Sequence, residues 1–209
     1  MAIVDLNHRI TADWTERCDN LQSPDSFVFV SDNHQNDTLN PASMEISVGD
    51  VYLLPGDNKT YLITDEGLTV RPRHSVVIYT KEKFALPYNM FGVVTGKGNY
   101  IFKGCFVSTG KIDPGFTGYL KIGFYNGGLS KIVLKKGDSF ASVFFVSTEF
   151  TMPHPLQNYQ LTPTPEAKPI SRCTRIWNYI SAHWVAFLAW AVITIPTALL
   201  NILQFIKLI

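Results

Sequence analysis

Few side chains in this sequence are of a type and setting that do chemistry. Asp113 opens the run Asp113-Pro114-Gly115-Phe116-Thr117-Gly118. A proline at the second turn position fixes φ, and the glycines accept backbone angles that other residues resist. A carboxylate just ahead of such a turn is well held and can face a ligand as a general base or acceptor, although the same pattern also serves a plain β-turn. Glu45, within Met44 to Val48, is the other carboxylate at a strand-turn boundary with apolar surroundings. It suits a general base or a solvated strand face. Gly96-Lys97-Gly98-Asn99 follows a strand-like run and offers backbone amides plus one cation to a phosphate. Hairpin turns use the same residues.

Other chemistries find no support. His8, His34, His74, His154 and His183 show no metal-ligand spacing to one another or to cysteine, so no metal site is expected. Nucleophile-elbow, zinc-protease and phosphate-loop motifs are absent. Cys18, Cys105 and Cys173 are odd in number and widely spaced, which points to a reducing compartment rather than a disulfide framework. A net charge of +1 over 209 residues gives no electrostatic reason to expect a nucleic-acid partner. The first residues lack an apolar core behind a basic patch, so no secretory signal is expected.

The elements that must position these residues are mostly strands. Ile3, Leu6, Ile10 and Trp14 repeat at roughly helical spacing, which predicts a short amphipathic helix over 5–20. Ser26 to Ser31 reads as a strand, and Met44, Ile46 and Val48 alternate with Ser43, Glu45 and Ser47 as a half-buried strand does. Strand-like runs then recur to Ser147, broken by Gly, Pro and Asn, which predicts an all-β barrel or sandwich. Residues 1–150 form this domain and 151–175 a Pro-rich linker. In 176–209, the stretch Ala182 to Ile206 has no Asp, Glu, Lys or Arg and is long enough to cross a bilayer as a helix. Trp177, Tyr179 and Trp184 supply an aromatic belt. Lys168, Arg172 and Arg175 on the near side, against Lys207 beyond, orient a single-pass C-terminal anchor with the N-terminal domain cytoplasmic.

Three stretches together resemble the dCTP deaminase and dUTPase superfamily. Asn40 to Gly49 is similar to the early strand of the deaminases. Lys111 to Gly128 resembles the hairpin that binds base and sugar, with the strand after it. Ile132 to Ser147 is similar to the closing pair of strands. The resemblance implies a dUTPase-like β-barrel of jelly-roll type, a homotrimer and a pyrimidine nucleotide ligand. It implies nucleotide contacts from Lys97, Gly98, Asn99, Asp113, Phe116 and Tyr125. Asp113 corresponds to the aspartate that contacts deoxyribose and positions water, and Phe116 to the aromatic residue packed on the sugar.

The same resemblance shows losses. The family's phosphate motif, Gly-Arg-Ser-Ser-x-x-Arg, corresponds here to Gly96-Lys97-Gly98-Asn99-Tyr100-Ile101-Phe102, and its general-base glutamate falls on Gly123. Removing a positioned acid-base group costs about 10²- to 10⁴-fold in rate. The expectation is therefore a catalytically degenerate, membrane-anchored protein that binds a pyrimidine or cyclic nucleotide as a sensor or effector, antiviral defence being one such role. Binding would need no cofactor. The alternatives are a tethered dUTP pyrophosphatase or dCTP deaminase using Asp113, with Mg²⁺ carried by the triphosphate, and a trimerisation scaffold that binds no nucleotide.

Overall fold

The computed structural model describes residues 2–13, 27–31, 41–57 and 59–152, and, further on, 173, 176–177, 179–180, 183–185 and 188–197. The chain divides into two compact units, Met1–Lys168 and Pro169–Ile209.

The first unit is built from strands. In chain order they are β1 (Ala2–Ile3), β2 (Ile10–Thr11), β3 (Val28–Val30), β4 (Met44–Leu53), β5 (Thr60–Leu62), β6 (Leu68–Val70) and β7 (His74–Ala85). After these come β8 (Met90–Gly96), β9 (Cys105–Val107), β10 (Gly110–Ile112), β11 (Thr117–Asn126), β12 (Ile132–Leu134) and β13 (Ser139–Ser147). Two one-turn helices interrupt them, α1 (Leu6–Arg9) and α2 (Gly98–Ile101). The principal ladder runs β10-β8-β13-β4-β7-β11-β9, and β12 pairs separately with β6.

Strand β4 links two halves of that ladder. Met44 to Ser47 pair with β13, whereas Val48 to Leu53 pair with β7. Gly49 sits where β4 crosses to the second half, and a Cβ there would lie 2.7 Å from the carbonyl oxygens of Tyr79 and Thr80. Only a residue without a side chain lets the two backbones approach so closely. Phe84 on β7 and Phe145 on β13 are fully buried, with ring centroids 6.5 Å apart, so the core lies between the halves.

The prediction of a mainly β domain holds, but three details differ. The described strands do not close into a barrel: no pairing joins β9 to β10, and residues 108–109 carry the chain between them. The predicted N-terminal helix stops after one turn. Asp5 caps it through the Asn7 amide (3.0 Å), and the β-branched Ile10 and Thr11 then pair in parallel with Val28 and Phe29. Buried ladder pairing overrides helical spacing here, and the rest of the predicted helix, 14–20, lies outside the described residues. Finally, Ser47 is buried rather than solvent-facing, because its amide donates to both carboxylate oxygens of Glu82 (3.1 and 3.0 Å).

In the second unit, residues 188–197 are helical, and Thr194 Oγ1 donates to the Trp190 carbonyl at 2.8 Å. Trp184, Val185, Leu188, Trp190, Val192, Ile193 and Ile195 are all exposed. Among the described residues, no helix is long and apolar enough to cross a membrane. Most of the predicted linker, 153–172, and the last part of the predicted span, 198–206, lie outside the described residues.

Candidate nucleotide site

Asp113 precedes a tight turn of the predicted kind. The Phe116 amide donates to the Asp113 carbonyl at 3.0 Å, and Gly115 has a φ of 77° at the third position, which defines a type II turn behind Pro114. The turn is seated against the end of β7, where the Leu86 amide donates to the Phe116 carbonyl at 2.9 Å. The Asp113 carboxylate is largely shielded and pairs with the Lys111 ammonium at 2.6 Å. Phe116 is half-buried beside it. This end therefore presents a held carboxylate and an aromatic ring.

Lys97 lies at the other end of β8 and caps α2. Its ammonium reaches across β13, donating to Ser139 Oγ (3.1 Å), and pairs with Glu45 Oε1 on β4 at 2.6 Å. The hydrogen bond from Lys97 holds the Glu45 carboxyl below its ordinary range, more than burial raises it, and Ser139 and the lysine charge act in the same direction. Glu45 is thus neither a poised base nor a plainly solvated side chain. It is an ion-pair partner. Gly98 and Asn99 are exposed in the first turn of α2. The Phe102 ring lies over Gly98, where a Cβ would stand 3.5 Å from Phe102 Cε2, and Phe102 is 90% exposed. Tyr100 packs edge-on against Phe124 of β11 at 5.5 Å, and burial pushes its phenol upward.

Gly123 and Tyr125 lie on the outer face of β11, alternating with the buried Ile122, Phe124 and Asn126. Ser108 takes the place beside Gly123. Its hydroxyl accepts the Gly123 amide (2.9 Å), and its own amide donates to the Gly123 carbonyl (2.7 Å). Tyr125 is 42% exposed and stands opposite Phe106 of β9. Next to it, the buried Asn126 amide donates to the Val70 and Ser130 carbonyls (3.0 and 2.8 Å) and accepts from the Gly128 amide (3.0 Å). That side chain ties β11 to β6 and to the turn before β12.

The sequence-predicted residues therefore fall into two clusters. Lys97, Gly98 and Asn99 share one end of the domain with Tyr125, through the Tyr100–Phe124 contact. Asp113 and Phe116 occupy the other end. Because β10 pairs Ile112 with Gly92, Asp113 adjoins the start of β8, roughly 20 Å from Lys97 at about 3.3 Å of rise per residue. No single ligand of nucleoside size touches both clusters of one chain.

Sequence reasoning missed Glu82, which is 1% exposed. Its signal was available: Val76, Ile78, Thr80, Glu82 and Phe84 alternate along β7 and all point inward. Ser108 and Ser139 carried no such signal. Among the described residues no three His, Cys, Asp or Glu side chains are arranged to hold a metal, and the Asp113 carboxylate is already engaged by Lys111. The chain's own donors do not fit a resident Mg²⁺.

Known proteins share this sequence pattern. The dCTP deaminase of Thermococcus kodakarensis is 27% identical over 126 residues, covering 59% of this chain and 80% of that protein. The dCTP deaminase of Pyrococcus horikoshii is 29% identical over the same length and coverage. Among solved structures, the 2′-deoxycytidine 5′-triphosphate deaminase of Agrobacterium tumefaciens aligns with a TM-score of 0.47 and 17% identity, over 56% of this chain and 43% of that one. The family described as dCTP deaminase-like matches residues 25–148, more than half of the chain, and the chain belongs to that family.

Proposed function

We propose that this protein is a catalytically degenerate member of its family that binds a pyrimidine nucleotide, or a signal derived from one, without converting it. The observation that carries the reading is at Gly123. The position that resemblance assigns to the general base has no side chain, and the Ser108 hydroxyl is bound to its amide at 2.9 Å. A serine hydroxyl hydrogen-bonded in this way is no substitute for a carboxylate that must take and return a proton. Two further positions that would clamp phosphate are Gly98 and Phe102, neither of which can donate a side-chain hydrogen bond.

The separation of Asp113 from Lys97 supports assembly. A site that used both clusters would have to form between copies of the chain, as in a homotrimer of the kind the resemblance implies. The exposed apolar side chains of Trp184, Val185, Leu188, Trp190, Val192, Ile193 and Ile195 support a membrane anchor that follows the β domain, and Lys168, Arg172 and Arg175 against Lys207 support that domain's lying on the cytoplasmic side. Anchors gathered by assembly would let ligand binding at subunit boundaries act on the membrane, as in an antiviral effector.

The test is direct. Purified full-length protein is assayed for dCTP and dUTP turnover and, in parallel, for melting-temperature shifts with pyrimidine deoxynucleotides and cyclic nucleotides. The proposal expects a shift without turnover. One observation favours a second reading, a tethered dUTP pyrophosphatase: Asp113 is retained, shielded and ion-paired. Turnover that disappears in Asp113→Ala would establish that reading and end the first. No shift with any nucleotide would favour a scaffold.

A further inference from the structure

Three turns meet at the end of the domain where His74 of β7, Asn126 of β11 and Cys105 of β9 stand side by side. They are 71–73 before β7, 102–104 before β9, and 127–131 between β11 and β12. Lys131 precedes Ile132 and Arg71 follows Val70, so the two adjoin across that antiparallel pair. Lys103 adjoins the same turn, because a Cβ on Gly128 would run into the Lys103 carbonyl. Arg71, Arg73, Lys103 and Lys131 are all exposed, and none of the three turns carries a carboxylate. These four cations exceed the net charge of +1 of the whole chain, so the rest of the protein is net acidic. Beyond β7, Lys59 and Asp57 offset each other, the Asp57 carboxylate accepting the Lys59 amide at 3.0 Å. Apolar side chains share the patch. Leu129 is 94% exposed in its turn, and Phe102, 90% exposed, borders Lys103.

The fold holds this end firmly. The Asn126 side chain ties the Val70 and Ser130 carbonyls and the Gly128 amide together. Arg73 has a φ of 62°, in the left-handed region where glycine is at ease and arginine is strained. Its amide donates to the Asn126 carbonyl at 2.6 Å. A long cation is thus kept where glycine would cost the turn less.

We propose that this end of the domain docks on an anionic membrane surface, with the four cations facing acidic headgroups and Leu129 entering the headgroup layer. Each cation near such a surface strengthens binding about fivefold, so four give several hundredfold. Burying the leucine adds about tenfold. That is weak for a free protein and ample for one tethered to the same bilayer. The exposed apolar residues of the second unit, Trp184 to Ile195, favour a bilayer as the partner. A nucleic acid or an acidic protein would match the charges and leave Leu129 without an apolar contact. The chain leaves the β domain at the opposite end, where the Met152 amide donates to the Tyr88 carbonyl at 3.0 Å. Strand β7, His74–Ala85, sets the two ends about 36 Å apart. Residues 153–172 span up to about 70 Å when extended, enough for the basic end to reach the bilayer.

The experiment is hydrogen exchange, read by mass spectrometry, on the full-length protein in detergent, with phosphatidylcholine vesicles, and with vesicles containing about 30% phosphatidylserine. Peptides covering 127–131 should exchange at least about fivefold more slowly with the anionic vesicles than with the neutral ones. Salt at about 0.5 M should erase that difference. Arg73→Gly fits the left-handed backbone, so it should melt no lower than the wild type, and it should weaken the protection about fivefold. The double variant Lys103→Glu, Lys131→Glu should abolish it. Lys121→Glu, Lys136→Glu makes the same change in net charge outside the three turns and should leave it intact. Equal exchange with both kinds of vesicle overturns the inference, as does equal loss of protection in the two double variants. Protection already present in detergent would make this end an interface between copies, and protection by single-stranded DNA or polyglutamate but not by vesicles would assign another partner; either result overturns it. Loss of the protein from neutral vesicles alone would end the anchor reading and leave this one standing, because the anionic vesicles still report on the turns.

Discussion

Replacing Asp113 with asparagine separates the ligand role of this residue from its structural one. The substitution preserves size and tolerates the turn, whose Phe116–Asp113 backbone hydrogen bond (3.0 Å) does not involve the side chain. It removes the charge that meets Lys111 at 2.6 Å. Lys111 is 59% exposed, so solvent screens the pair and its loss should cost the fold no more than about 1 kcal/mol. In a domain of this size that lowers the melting temperature by about 2–4 °C. A ligand hydrogen bond to the charged carboxylate is worth about 1.5–3 kcal/mol, so affinity should fall about 10- to 150-fold. Calorimetric titration gives the affinity and scanning calorimetry the stability of the same preparation. A variant that melts as expected yet binds within about twofold of the wild type would refute the placement of Asp113 against the sugar.

Four further outcomes follow from the same geometry. Gly123→Glu should fold, because a Cβ there meets Ser108 Oγ at 3.3 Å and a surface serine can yield, and it should not deaminate dCTP, since Gly98 and Phe102 remain; ammonia release from this variant alone would refute that. Glu45→Gln should lower stability by up to about 1 kcal/mol at neutral pH, a screened value because Glu45 is 49% exposed. Its carboxyl is held below its ordinary 4.5, so the wild-type advantage is present above that pH and disappears as pH falls through the folded value; melting curves of both proteins from pH 7 to 3 should converge at the acid end. Asn126→Ala removes four side-chain hydrogen bonds, including one from the Cys105 thiol at 3.5 Å, and leaves buried carbonyls unmet. It should cost about 3 kcal/mol, a fall of about 6–12 °C in melting temperature. The full-length chain should remain with membranes through alkaline carbonate extraction, whereas a chain ending at residue 168 should be released, which fractionation and blotting will read.

How much of this was legible before the structure depends on the residue. The Asp113 turn was, because proline at its second position and glycine at its third fix the backbone locally whatever surrounds them. The strands were, because alternation records which side faces the core. The N-terminal helix was misjudged because α1 ends where Ile10 finds a parallel partner in Val28, far along the chain. The open ends of the ladder follow from which strands find partners, and that depends on β4 crossing at Gly49 rather than on any strand's own sequence. At the site, the sequence grouped Lys97 with Asp113 as parts of one pocket. The antiparallel register of β10 on β8 puts them at opposite ends instead. The Lys97–Glu45–Ser139 linkage also joins three strands, and no spacing along the chain reveals such a contact.

The central claim is recognition without conversion. It is tested most directly by equilibrium dialysis of the full-length protein against radiolabelled dCTP and dUTP, with the bound and free nucleotide recovered and separated by ion-exchange chromatography. The account predicts saturable binding with both nucleotides recovered unchanged after prolonged incubation. Recovery of dUTP from dCTP, or of dUMP and pyrophosphate from dUTP, in amounts that track the protein and vanish in Asp113→Ala would contradict it.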